Sequence, residues 1–312
     1  MPAHTPAPVT GEQHELAHGS LRAVVTEVAA ALRLLSLEGI DLVAGYSDDV
    51  VPPLSAGVIL VPWPNRVRDG RWVHDGVVQQ LDISEPKFHN ALHGLLRNAP
   101  YRLIERSAAA VTLQATVFPQ RGYPFHLDTR VRYELTADGL VASHSLRNVG
   151  ATEAPVAIGA HPYLAIGDVP SDELILTVAA RSHIDLDDRL NPTGQTPVDG
   201  TRWDLRAGAP VGELELNDCW ADVELRDGRS EHSLRAPDGR SVTMWADAAC
   251  NYVQVFITRI FPDGQDVRTA VAIEPMTAPA DAFNSGHGLH WLDPGEEWSV
   301  SWGIRADGFG TR

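Results

Sequence analysis

Lysine is almost missing from this sequence: Lys87 is the only one, and every other basic side chain is arginine. A lysine Schiff base or a phosphate-loop lysine would have to be Lys87. That residue follows Pro86 and has no glycine-rich loop before it, so both chemistries are set aside. Cysteine is nearly as scarce. Cys219 and Cys250 make neither a disulfide framework nor a zinc cluster, and reduced thiols fit an expected cytoplasmic address. No apolar run approaches the length of a membrane span. Residues 1–10 are rich in Pro, Ala and Thr and lack a basic or apolar leader pattern, so no signal peptide is expected. Positive charge is in deficit, 25 Lys and Arg against 41 Asp and Glu, for a net charge of −16. Such a surface repels phosphate backbones and anionic lipid, so nucleic acid and membranes are not expected partners. Strand–helix alternation, G-x-G-x-x-G and G-x-S-x-G are all absent, which argues against dinucleotide-binding, (β/α)8-barrel and serine-hydrolase architectures.

Hydrophobic residues, 44% of the chain, are ample for a large core. They recur with period two. Val111, Leu113, Ala115 and Val117 alternate with Thr112, Gln114 and Thr116. Trp298, Val300, Trp302 and Ile304 alternate with Ser299, Ser301 and Gly303. Val253, Val255 and Ile257 put Gln254 on the opposite face. Asp-Gly pairs, at Asp75-Gly76, Asp138-Gly139, Asp227-Gly228 and elsewhere, suit the positive φ angles of tight hairpin turns. The pattern predicts an all-β fold, a large antiparallel β-sandwich with few short helices, the latter at 12–18 and 90–96. Residues 1–18 read as a flexible lead-in and 19–312 as a single catalytic domain.

His14-Glu15-Leu16-Ala17-His18 matches H-E-x-x-H, in which histidines one helical turn apart bind zinc. Prolines before it and Gly19 after it leave barely two turns of helix, and the segment is read as a polar N-terminal stretch. A second ligand set, His287 and His290 with Asp293, lies in glycine-rich loop, so no metal is expected there either. Two other positions are restricted by a following proline: His161 before Pro162 and Glu274 before Pro275. A residue before proline is driven to extended geometry, which fixes the direction of its side chain. An acid–base pair needs such fixing, although strand-ending prolines beside structural hydrogen bonds give the same pattern. Pro62-Trp63-Pro64-Asn65-Arg66 and Ala91-Leu92-His93-Gly94 suggest binding loops, with Gly94 letting a ligand approach the backbone. A surface salt bridge or a turn histidine would explain them equally well.

Taken in order, these segments resemble the aldose 1-epimerase (galactose mutarotase) family. They are Asn65-Arg66, Leu92-His93-Gly94, His161-Pro162-Tyr163, Asn217-Asp218-Cys219-Trp220, Val253-Gln254-Val255 and Ile273-Glu274-Pro275 with Asn284 beyond. The resemblance runs from about Leu21 to Trp302. It implies the family's β-sandwich, no cofactor, Glu274 as general base and His161 as general acid. Arg66, His93, Asp218 and Gln254 would hold sugar hydroxyls, with Asn65 supporting and Tyr163 contributing to the site. Leu164 stands where the family often has an aromatic residue, which implies a thinner apolar wall. The expected partner is a monosaccharide, on a monomer or homodimer. The expected chemistry puts an ionised carboxylate and a protonated imidazole on opposite sides of the sugar, with His161 raised in pKa. Alternatives are an epimerase of hexose 6-phosphates or another anionic sugar, served by Arg66, Arg68, Arg71 and Arg97. A non-catalytic sugar binder and a glycosidase pairing Glu274 with Asp218 are the others.

Overall fold

The computed structural model describes residues 7–310. Strand occupies 53% of the chain and helix 4%. Two large antiparallel sheets carry the architecture. The nine-stranded sheet includes Ala110–Val117, Leu127–Thr136, Gly139–Asn148, Ser241–Asp247 and Glu297–Asp307. The eight-stranded sheet is centred on Asn217–Val223, Tyr252–Asp263 and Asp266–Met276, with the two-residue strands Gly159–Ala160 and Ile59–Leu60 at one end. Val131, Leu146 and Trp302 from the first sheet and Val253, Val255 and Ile273 from the second belong to one continuous buried apolar cluster. The core therefore draws on both sheets, as period-two strands require.

Tight turns do what their residues allow. Asp75-Gly76 joins Arg71–His74 to Val77–Gln80, with φ of 50° and 74°, and Asp227-Gly228 closes the Arg226–Arg229 bridge with 51° and 78°. Both are two-residue loops with two positive φ values, the geometry that matches strand twist.

Two expected helices are strands. Gln13–His18 pairs with Leu21–Thr26 as the first strand of a four-stranded sheet, so residues 13–18 are not a flexible lead-in. His14 and Leu16 are buried while Glu15 and Ala17 are exposed, a period of two that the short segment hid. The helix on which a zinc-binding H-E-x-x-H depends is thus not formed. Asn90–Leu92 pairs with Arg66–Arg68 instead of starting a helix. Among the described residues the one α-helix is Ala282–Ser285.

Alternation in the eight-stranded sheet sets up the functional surface. Val253, Val255, Val271 and Ile273 face the core. Their neighbours Gln254, Phe256 and Glu274 then face outward, with Gln254 directly opposite Glu274 and Asn217 opposite Phe256.

Candidate active site

On that outer face lies an open cavity of about 330 Å3. Asn217, Gln254, Phe256 and Glu274 of the sheet form one side; Arg66 and Leu92 from the paired short strands, with Leu54, Ser55, Asn65, Glu85, Lys87, Phe88, His93 and His161, form the rest. Leu54, Ser55, Asn65 and His93 all hold positive φ, between 48° and 62°. Left-handed backbone at non-glycine residues is costly and tends to gather at functional sites. The His93-Gly94 turn has a further cause: a Cβ on Gly94, at φ 72°, would sit 1.9 Å from the Val61 carbonyl oxygen. Gly94 is therefore needed for backbone packing against Val61, rather than for the approach of a ligand.

The buried part of the cavity holds His161 and Glu274, 4% and 2% exposed, with His161 Nε2 and Glu274 Oε1 3.4 Å apart. No sugar ring fits between atoms that close, so the expected placement on opposite sides of a ring is not what the chain adopts. Burial also reverses the expected charges. Loss of water pushes the Glu274 carboxyl up to about 8, against a smaller downward pull from Arg66. The same loss of water draws His161 down to about 4. At neutral pH the pair then carries one proton, held by Glu274, with the imidazole neutral. Tyr163 stacks on the His161 ring at 5.1 Å and donates its hydroxyl to the Leu54 carbonyl, so it backs the site without lining it.

His93 meets His161 edge-on at 5.3 Å. Burial first, then the proximity of His161 and of the Arg66 and Arg97 guanidinium groups, holds it well below the ordinary histidine range. A neutral His93 has one N–H and one lone pair, and its Nδ1 is buried without a hydrogen-bond partner within the protein.

The remaining polar groups form one chain. Arg66 donates from Nε and Nη2 to the two Glu85 oxygens at 2.8 and 2.9 Å and from Nη1 to Asn65 Oδ1 at 3.1 Å. Those bonds use three of the five guanidinium N–H groups and leave two free. Asn65 Nδ2 continues to Gln254 Oε1 at 3.1 Å, and Gln254 Nε2 to Asn217 Oδ1 at 2.9 Å. Each side chain is thereby oriented by the next, and the spare donors and acceptors need little reorganisation to receive hydroxyls.

The family description aldose 1-epimerase matches residues 12–305. The chain belongs to the aldose 1-epimerase family. The uncharacterized protein YihR of Escherichia coli K12 is 31% identical over 296 residues, covering 92% of this chain and 91% of that protein. The GalM/aldose epimerase homologue from C. elegans superposes with a TM-score of 0.82 at 18% identity, over 95% of this chain and 98% of that one. The galactose 1-epimerase from Lactobacillus acidophilus NCFM gives 0.76 at 18%, over 94% and 93%. These structures share the galactose mutarotase-like fold.

Of the residues the sequence singled out within this epimerase fold, Glu274, His161, Arg66, His93, Gln254 and Asn65 converge on the cavity. Asp218 does not. It points to the other face of its strand, where its carboxylate takes hydrogen bonds from His183 Nε2 at 2.8 Å and Trp203 Nε1 at 3.3 Å. Strand alternation puts its neighbour Asn217 in the cavity instead. Leu164 is wholly buried in the core and forms no cavity wall; Phe88 and Phe256 supply the aromatic surface. Glu85, Lys87, Phe88 and Asn217 were missed. Only the lone lysine marked the 85–88 segment in the sequence. His290, from the second suggested ligand set, stacks on Trp298 at 4.5 Å. Among the described residues no group of three or more His, Cys, Asp or Glu side chains is arranged to hold a metal ion.

Proposed function

We propose that the protein is a mutarotase, interconverting the α and β anomers of a free aldose such as galactose or glucose. One observation carries this reading: His161 Nε2 and Glu274 Oε1 lie 3.4 Å apart in the buried corner of the cavity, where loss of water favours the protonated carboxyl and the neutral imidazole. In a pyranose the anomeric hydroxyl oxygen and the ring oxygen are both bonded to C1, and so are themselves adjacent. Two adjacent groups with one proton between them suit that pair of oxygens better than groups on opposite faces would.

Ring opening takes the proton from the anomeric hydroxyl and delivers one to the ring oxygen as the C1–O5 bond breaks. The products are the open-chain aldehyde and a pair that still carries one proton. Rotation about C1–C2 and the reverse transfers give the other anomer. With Glu274 as the base and His161 as the acid, the proton first crosses from carboxyl to imidazole, through their own contact or the substrate's oxygens. The total charge of the pair does not change, which a buried site favours. Arg66 and His93 hold ring hydroxyls, aided by the amides of Asn65, Gln254 and Asn217. The glycosidase reading loses its second carboxylate, because Asp218 lies outside the cavity and Glu85 is occupied by Arg66.

The anionic-sugar reading keeps one support. Its arginine cluster is not assembled: Arg68 pairs with Asp187 and Asp281, and Arg71 and Arg97 do not line the cavity. Lys87, however, lines the mouth over the Phe88 ring. Polarimetry on freshly dissolved α-anomers of galactose, glucose and glucose 6-phosphate separates the readings. Faster approach to anomeric equilibrium with the neutral sugars supports the proposal, and acceleration of the phosphate alone supports the anionic one. Binding without acceleration leaves a sugar-binding protein.

A further inference from the structure

We infer that Arg189 is a positioning residue for the Phe88 wall of the cavity, a role that presupposes the aldose reading of that cavity. Residues 85–90 form a tight turn closed by a backbone pair. Glu85 N donates to Asn90 O at 3.0 Å, Asn90 N to Glu85 O at 3.3 Å, and His89 N to Pro86 O at 3.3 Å. The tip carries Lys87 and Phe88 to the cavity, where the Arg66 guanidinium lies 5.7 Å from the Phe88 ring. Phe88 is only half-buried and belongs to none of the buried apolar clusters. Apolar packing therefore does little to fix the tip.

Arg189 fixes it with hydrogen bonds. Its Nε donates to the Phe88 carbonyl at 2.9 Å, and its Nη2 to the His89 carbonyl at 3.0 Å and to Asp69 Oδ1 at 2.6 Å. Arg189 is itself held, because Asp187 Oδ1 accepts the backbone N–H of both Arg189 and Asn191 at 2.9 Å. The clamp is also reciprocal: Asn90 Nδ2 donates to the Arg189 carbonyl at 3.1 Å. An exposed Arg–Asp pair alone would restrain little. A planar fork reaching two consecutive carbonyls is a different matter, and an ammonium cannot reproduce it.

An aromatic face packs against the C–H face of a sugar ring, and Phe88 takes no part in proton transfer. Freeing the tip should then weaken substrate affinity and spare the chemistry. The test uses full-length protein in four forms: Arg189→Ala, Arg189→Lys, Phe88→Ala and the Arg189→Ala/Phe88→Ala double variant. Each is checked for unchanged thermal unfolding. Hydrogen exchange is expected to accelerate over residues 84–92 alone in Arg189→Ala. Its KM should rise about tenfold with kcat within about twofold, the size of one lost charge-assisted contact. Arg189→Lys should restore only part of the affinity, and the double variant should bind no worse than Phe88→Ala. Unchanged exchange overturns the inference, as does a full additional KM effect on top of Phe88→Ala or a collapse of kcat. A wild type that neither binds nor converts aldoses sinks the reading of the cavity. An active wild type matched by Arg189→Ala sinks the role of Arg189 alone.

Discussion

Leu127–Thr136 and Gly139–Asn148 run ten residues each in unbroken antiparallel register, with buried and solvent-facing side chains alternating along them. The cavity, on the outer face of the eight-stranded sheet, joins residues of that sheet to short strands and turns with left-handed backbone at Leu54, Ser55, Asn65 and His93. Both regions bury histidine. In the nine-stranded sheet His144 Nε2 is bonded to Thr129 Oγ1 at 2.8 Å and the ring is held down to about 3 by burial. In the cavity His161 has a carboxyl beside it, 3.4 Å away, and opens on space a ligand can fill. Both rings are buried, and both are held below the ordinary histidine range. What sets His161, the proposed acid, apart from His144 is the company of a second titratable group and a place on the cavity lining.

Substituting the two histidines is the sharpest way to break that comparison. His161→Asn should lower anomer exchange by about two to four orders of magnitude while the fold survives. His144→Asn should leave the rate unchanged and lower stability by about 1–3 kcal/mol, the cost of disturbing a buried hydrogen bond. Saturation-transfer NMR and denaturant unfolding on both variants read the two effects. Equal losses of rate would erase the distinction. Trp302→Ala, in the core beside Tyr133, should destabilise by about 3–5 kcal/mol and leave the KM of the folded fraction alone.

Acidity sharpens the contrast further. The rate should plateau while the pair holds a single proton, falling above about 8 as Glu274 loses it and below about 4 as His161 gains a second. Stability should follow its own course. Glu274 is raised from 4.5 to about 8, so its contribution is complete at acid pH and is lost as pH rises through that window, where only the unfolded chain ionises freely. His161 is lowered from 6.5 to about 4, so its contribution is lost as pH falls between those values. Glu274→Gln should flatten the decline in unfolding free energy between pH 4.5 and about 8; an unchanged decline would mean that Glu274 ionises freely in the fold. The smallest effect is expected at Asp218, on the core-side face of its strand. Asp218→Asn should keep kcat and KM within about threefold and lower stability by about 1–2 kcal/mol. A large loss of activity would put Asp218 back in the site.

The same contrast explains what was legible in the residues alone. Long strands announce themselves by period two, and Val253, Val255 and Ile257 correctly sent Gln254 to the opposite face. Asp-Gly pairs announced hairpins because their positive φ is a local property. Asp218 and Asn217 were confused because Asn-Asp-Cys-Trp shows no alternation, and a one-residue offset exchanges the two faces of a strand. The Gln13–His18 strand resembled a helix because histidines four apart share a face in either geometry. Glu85 and Phe88 were illegible for a different reason. Their turn is held by Arg189, whose side chain reaches Phe88 from 101 positions along the chain, and no local pattern encodes such a contact. The pKa reversal of His161 and Glu274 was hidden likewise, since burial is a property of the assembled fold.

The central claim is that Glu274 moves the proton. Glu274→Gln keeps the shape of the side chain and removes its titration, so one measurement addresses the claim directly: anomer exchange of an aldose by saturation-transfer NMR, with calorimetry confirming that sugar still binds. Exchange should fall by about two to four orders of magnitude with affinity changed by about threefold or less. Near-normal exchange in the folded variant would contradict the account.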